Sequence, residues 1–154
     1  MYDEAFWNKR YANRDYLYGT EPNSFLAENY RLLSSPVLSL SEGEGRNAVF
    51  LATRGLEVVG VDISAVALEK AQRLAEACGV EIKTLVADLS TFEPEENHYG
   101  SVISISAHLP SRVRKRLYPL IERSLKRDGV VVLEAFRKTN SHDPPADPRM
   151  ATCS

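Results

Sequence analysis

The chain has 154 residues, 44% of them hydrophobic and 26% charged, with a net charge of −2. That suffices for one domain around one core, and the slight negative charge argues against a nucleic-acid or membrane-surface partner, since either favours a basic face. No apolar run approaches the roughly 20 residues of a membrane span. The N-terminus, MYDEAFWNKRY, carries acids and no apolar stretch, so it does not read as a secretory signal. Three scattered histidines, His98, His108 and His142, give no zinc-ligand spacing, and no metal is expected. The two cysteines, Cys78 and Cys153, read as thiols in a reducing compartment rather than a disulfide, which points to the cytoplasm.

Residues 1–33 read as a helical cap with Phe6, Trp7, Tyr11, Phe25 and Leu26 as apolar anchors and the loop DYLYGTEPN between its helices. A short strand is expected at 37–41. A helix follows at 46–54, ended by Gly55. A Val-rich strand covers 56–62, and Ser64 caps a helix to Cys78, ended by Gly79. Residues 80–87 alternate as a third strand, STFEPEENH is an acidic loop, and 99–106 is a fourth strand. A helix spans 111–126, with Pro119 suited to restarting it at a first turn. Asp128-Gly129 marks a turn, and 130–136 is a very apolar fifth strand whose run Val130-Val131-Val132-Leu133 implies burial on both faces.

This alternation predicts an α/β, Rossmann-like, doubly wound, mainly parallel sheet, with a ligand at the C-terminal ends of the strands. The domain is expected to cover 1–136, a cap or lid at 1–33 and a core at 37–136. An irregular tail, 137–154, holds Pro144, Pro145 and Pro148.

The loop after the first strand carries the chemistry. Gly43-x-Gly45-x-x-Ala48 fits a dinucleotide fingerprint, and Asp62 ends the next strand where an acid can hold ribose hydroxyls. An NAD-dependent oxidoreductase is therefore allowed by spacing. Glu42, just before the first glycine, weighs against it, because a pyrophosphate at a helix N-terminus is anionic. A cationic, adenosine-bearing ligand suits this loop better. S-adenosylmethionine (SAM) has a sulfonium and an ammonium and no phosphate, and Glu42 can attract that ammonium directly or through water. Glu44 reads as a solvated loop charge.

At these residues the sequence resembles class I SAM-dependent methyltransferases, in EGEGRNAVFLA followed by GVDIS. It is similar to the small-molecule branch related to tellurite-resistance and thiopurine methyltransferases, on YLYGTEPNSFL, ISAHLP and DGVVVLEAF. The resemblance implies that Glu42, Gly43 and Gly45 hold the methionine part of SAM and Asp62 the ribose. It places Ile63 beside the adenine, with Asp88 and Leu89 at the adenine amino group. Ser106 would line the pocket, and Tyr18 and Gly19 would belong to a segment covering the cofactor. Asn47 replaces the third glycine of the motif, as a residue able to adopt a left-handed conformation or cap a helix. The last two strands of such a sheet are expected to be lacking, leaving the fifth strand an apolar edge open to self-association.

The expected function is methyl transfer from SAM to a small-molecule acceptor, with His108 as the candidate base if the acceptor must lose a proton. The basic run Arg112-Val113-Arg114-Lys115-Arg116 reads as a solvated helix face. The alternative is a truncated or non-catalytic protein of the same fold.

Overall fold

The computed structural model describes residues 1–135. Two helices, α1 (Glu4–Tyr11) and α2 (Ser24–Asn29), and a 3-10 turn precede β1 (Val37–Leu40); then follow α3 (Arg46–Thr53), β2 (Val58–Asp62), α4 (Ala65–Ala77), β3 (Lys83–Val86), β4 (Tyr99–Ile105), α5 (Ser111–Ser124) and β5 (Leu125–Glu134). Short polar side chains start three helices: Asp3 accepts from Phe6 N, Asn23 from Leu26 N and Ser64 from Ala67 N. Of the expected cap anchors, Tyr11 and Leu26 are buried, whereas Phe6 and Phe25 stay exposed.

The strands pair in parallel in the order β3-β2-β1-β4-β5. This is the doubly wound, Rossmann-like arrangement. Strand order reverses between β1 and β4, the point beyond whose C-terminal strand ends doubly wound sheets generally hold a ligand. Side-chain alternation along the strands divides the core. Val37, Ile103 and Val132 pack with α3 and α4 on one face; Leu38, Leu40 and Val102 pack with Val113, Leu117 and Ile121 of α5 on the other.

Three expectations are corrected. Helix α5 runs through Pro119 without restarting. Both Pro119 and Lys115 are exposed, which leaves the carbonyl that loses its N–H partner on the solvent side of the helix. Strand β5 begins at Leu125, and its pairing jumps from Tyr99↔Leu125 to Ser101↔Val130. The predicted Asp128-Gly129 turn is thus a bulge within the strand, with Asp128 at φ 64°. Lastly, β5 is buried on one face only: Val132 is in the core, while Val131 and Leu133 are 46% and 45% exposed. These two line an apolar groove with Leu40, Val102, Tyr118 and Ile121. Leaving each about half exposed forgoes roughly half of the 1.5–3 kcal/mol of full burial.

Cys78 closes α4 as its C-cap residue. Cys153, Phe136, the tail 137–154 and any strand beyond β5 lie outside the described residues. Among the described residues, no helix is long and apolar enough to cross a membrane, and no cluster of ligating side chains could hold a metal ion.

Candidate functional site

The turn from β1 into α3 is built from left-handed backbone. Ser41, Gly43 and Gly45 have φ of 51°, 68° and 95°, and Gly45 caps α3. Gly45 has a second constraint: a Cβ there would stand 2.7 Å from both Cα and Cβ of Ala71 on α4. Only glycine lets the turn sit this close to the helix.

Glu42 lies beneath that turn. Its Oε1 accepts from Ala48 N at 2.8 Å, and its Oε2 accepts from the Ser39 hydroxyl. Its side chain fills the space above Gly60, where a Cβ would meet Glu42 Cγ at 2.9 Å. Both oxygens thus brace the loop from inside. Burial pushes the carboxyl up to about 7, against partial relief from the Ser39 and Ala48 hydrogen bonds, and the Asp62 charge adds to the rise.

Asp62 joins the two ends of the motif. Its Oδ2 accepts from Gly43 N at 2.8 Å and its Oδ1 from Ser64 N at 2.9 Å. Burial raises its pKa while these backbone N–H groups hold it down. Each oxygen keeps a further lone pair for a ligand hydroxyl. Gly43, Gly45, Glu42 and Asp62 therefore form one constellation, as their spacing suggested.

The other predicted residues share this edge of the sheet without entering the Gly43–Asp62 contact. Ile63 is half-buried just past β2. Asp88 follows β3 and caps a turn, Oδ1 accepting from Ser90 N and Ser90 Oγ. Leu89 is buried in the core with Leu38 and Val61. Ser106 follows β4 in left-handed backbone, φ 55°, and donates its N–H to the Glu134 carbonyl. His108 is exposed two residues further on. Tyr18 is 51% exposed, beside Gly19 at φ 77°.

Glu44 is not the solvated charge expected. It is buried and ion-paired with Lys70 of α4, and its Oε1 accepts from Leu17 N at 2.7 Å. Lys70 Nζ also donates to the Asn13 and Asp15 carbonyls at 2.9 and 2.6 Å. Asn47 neither caps the helix nor takes a left-handed conformation. It lies within the first turn of α3, and its Oδ1 accepts from Asn23 N at 2.9 Å. The Ser64 hydroxyl donates to Asn8 Oδ1 at 2.6 Å. The N-terminal segment is thereby tied to the turn at several points. Tyr11 comes with it: its hydroxyl oxygen lies 3.2 Å from where a Gly43 Cβ would be, and burial, with Asp62 close by, raises its pKa. Lys70 was detectable in the sequence, since it falls on the apolar stripe of α4 between Ala67 and Ala71.

A family profile described as a methyltransferase domain matches residues 37–129. The tRNA (uracil(54)-C(5))-methyltransferase of Pyrococcus abyssi is 29% identical over 146 residues, covering 84% of this chain and 34% of its own length. The chain thus spans about a third of that curated relative. Among solved structures, a protein from Pyrococcus horikoshii superposes with a TM-score of 0.63 at 28% identity, over 70% of this chain and 49% of that one. The phosphoethanolamine N-methyltransferase 1 of Haemonchus contortus, solved with phosphoethanolamine and S-adenosylhomocysteine, gives 0.75 at 19% identity, over 96% of this chain and 35% of that one. With the profile spanning β1 to the bulge of β5, and the glycine turn and Asp62 inside it, the chain belongs to the methyltransferase domain family.

Proposed function

We propose that the chain binds SAM at the C-terminal edge of its sheet and transfers the methyl group to a small-molecule acceptor. The observation that carries this reading is the Asp62 carboxylate held against Gly43 N beside a glycine turn open to close approach, which supports Asp62 as the acid for a ribose. The buried Glu42 favours a cationic ligand over the pyrophosphate of NAD.

SAM, when bound, supplies a sulfonium whose methyl carbon is open to in-line attack. The chain's task is to bind, align and exclude water. Asp62 would take the ribose hydroxyls and the Gly43–Gly45 backbone the methionine end, with Glu42 as the negative field below. Asp88, Leu89 and Ile63 would border the adenine, Ser106 the pocket, and Tyr18 and Gly19 the cover. His108 would take a proton from an acceptor that needs to lose one.

A small acceptor is favoured because a net charge of −2 gives little electrostatic hold on a nucleic-acid backbone. Arg112, Arg114 and Lys115 are solvated, and Arg116 donates to the Thr91 and Phe92 carbonyls. No membrane partner is invoked. Within the family we place the chain with the branch similar to tellurite-resistance and thiopurine methyltransferases, on its YLYGTEPN segment, and in the cytoplasm. Exposed β5 makes self-association an accompanying expectation.

Titration calorimetry with S-adenosylhomocysteine tests the reading. Micromolar binding by the wild type, lost in Asp62→Ala, is the expected result. A folded wild type that binds NADH more tightly than S-adenosylhomocysteine would reverse it. Binding without turnover on thiol, amine and oxyanion acceptors would leave a cofactor-binding protein in place of an enzyme.

A further inference from the structure

The buried pair Glu44–Lys70 is unusual for what it holds. Burying two charges carries a desolvation cost that apolar residues of similar size avoid, so such a pair is weak evidence of stability for its own sake. Here nearly all of its remaining hydrogen-bonding capacity goes to one segment. Lys70 Nζ donates to Asn13 O and Asp15 O, with Tyr11 O at 3.5 Å. Glu44 Oε1 accepts from Leu17 N, and the Tyr16 hydroxyl donates back to Lys70 O at 3.1 Å, its ring under the ammonium. Glu44 itself stands between the two glycines of the turn, while Lys70 precedes Ala71, the residue on which Gly45 rests.

Taking the SAM-binding reading as its basis, we infer that Glu44 and Lys70 are positioning residues for the cofactor: the pair fastens residues 11–17 across the glycine turn and so sets cofactor affinity. The segment carries Tyr11 onto Gly43 and leads directly into Tyr18 and Gly19. Without the fastening, four carbonyl and amide groups of residues 11–17 would lose protein partners and turn to water, and the cover over the turn would open. Asn47 and Asn8 hold the segment's two flanks, through Asn23 N and Ser64 Oγ, but neither reaches residues 11–17.

The test uses the whole chain and three readouts: thermal midpoint, amide hydrogen exchange, and calorimetric affinity for S-adenosylhomocysteine. The key variant is the double substitution Glu44→Met with Lys70→Met, which keeps volume and leaves no orphan charge. The expected result is a folded protein in which amides of residues 11–19 exchange at least tenfold faster while those of α4 and β4 are unchanged. Its affinity for S-adenosylhomocysteine should be at least tenfold weaker. A merely structural pair would shift the midpoint without selectively weakening binding or speeding exchange at 11–19. A folded double variant with wild-type exchange at 11–19 and wild-type affinity overturns the inference. If the double variant does not fold, Glu44→Gln replaces it: it keeps an acceptor for Leu17 N but loses the charge facing Lys70. Measured well below its midpoint, faster exchange at 11–19 with weakened binding supports the inference, and unchanged values refute it. If the wild type binds no S-adenosylhomocysteine, the cofactor reading falls, and exchange at 11–19 alone still decides whether the pair fastens the segment.

Discussion

Replacing Glu42 by Gln separates what this acid does for folding from what it does for the ligand. The carboxyl titrates near 7 in the folded chain against 4.5 ordinarily. A raised acid pKa stabilises the folded state in its protonated form, so that contribution is present below 4.5 and is lost as pH rises through 7. Integrated over the two titrations, wild-type stability should fall by roughly 2–3 kcal/mol from pH 5 to pH 8 on account of this group. Gln can still accept from Ala48 N and can donate to Ser39, and it has nothing to ionise. Its stability relative to wild type should therefore improve by a similar amount between the same two pH values, whatever the constant offset from altered hydrogen bonds. Urea denaturation of both proteins at pH 5 and pH 8, with matching slopes, reads this difference directly. The same variant should bind S-adenosylhomocysteine more weakly at pH 8, because the negative field under the turn is gone. A stability gap that is the same at both pH values would refute the buried-acid argument, and unaltered affinity would refute its role toward the ligand's ammonium group.

Other changes give equally direct outcomes. Gly45→Ala must fit a Cβ 2.7 Å from Ala71 Cα at φ 95°; a loss of about 2–4 kcal/mol is expected from overpacking plus left-handed strain, seen as a lower urea midpoint. Val131→Lys with Leu133→Lys should abolish concentration-dependent sedimentation of the wild type, and a wild type that stays monomeric at high concentration would remove β5 as a contact surface. His108→Ala should leave affinity for S-adenosylhomocysteine unchanged and lower turnover on an acceptor that must be deprotonated. Equal turnover for the two proteins across pH 6–9 would exclude His108 as the base.

Much of the fold was legible because local signals agreed with one another. Val-rich runs, Gly55 and Gly79 after helices, and Ser64 before α4 each point the same way, and the strands and helices follow within a few residues. The pairing of the glycine turn with Asp62 was legible because spacing along a βαβ unit fixes both ends. Contacts made across the chain were not. Glu44 has no local feature that separates a solvated acid from one neutralised by Lys70, 26 positions away in the sequence and brought close only by α4 packing on the turn. Asn47 looked like a capping residue because its partner, Asn23 N, belongs to a segment with no periodicity to place it. The apolar run of β5 reported hydrophobicity correctly, but an apolar run cannot say whether anything covers it, and Val131 and Leu133 show that on one face nothing among the described residues does.

The fastening by Lys70 has a consequence for the order of assembly. Its hydrogen bonds to residues 11–16 span 54 to 59 positions of sequence. Residues 11–16 therefore cannot find their place when they are made, since their anchor does not exist until β2 has joined β1 and α4 has packed down. Long loop closure of this kind is slow relative to local helix formation. During synthesis the aromatic cluster of Tyr2, Phe6, Trp7 and Tyr11 waits without its docking surface until α4 has been made.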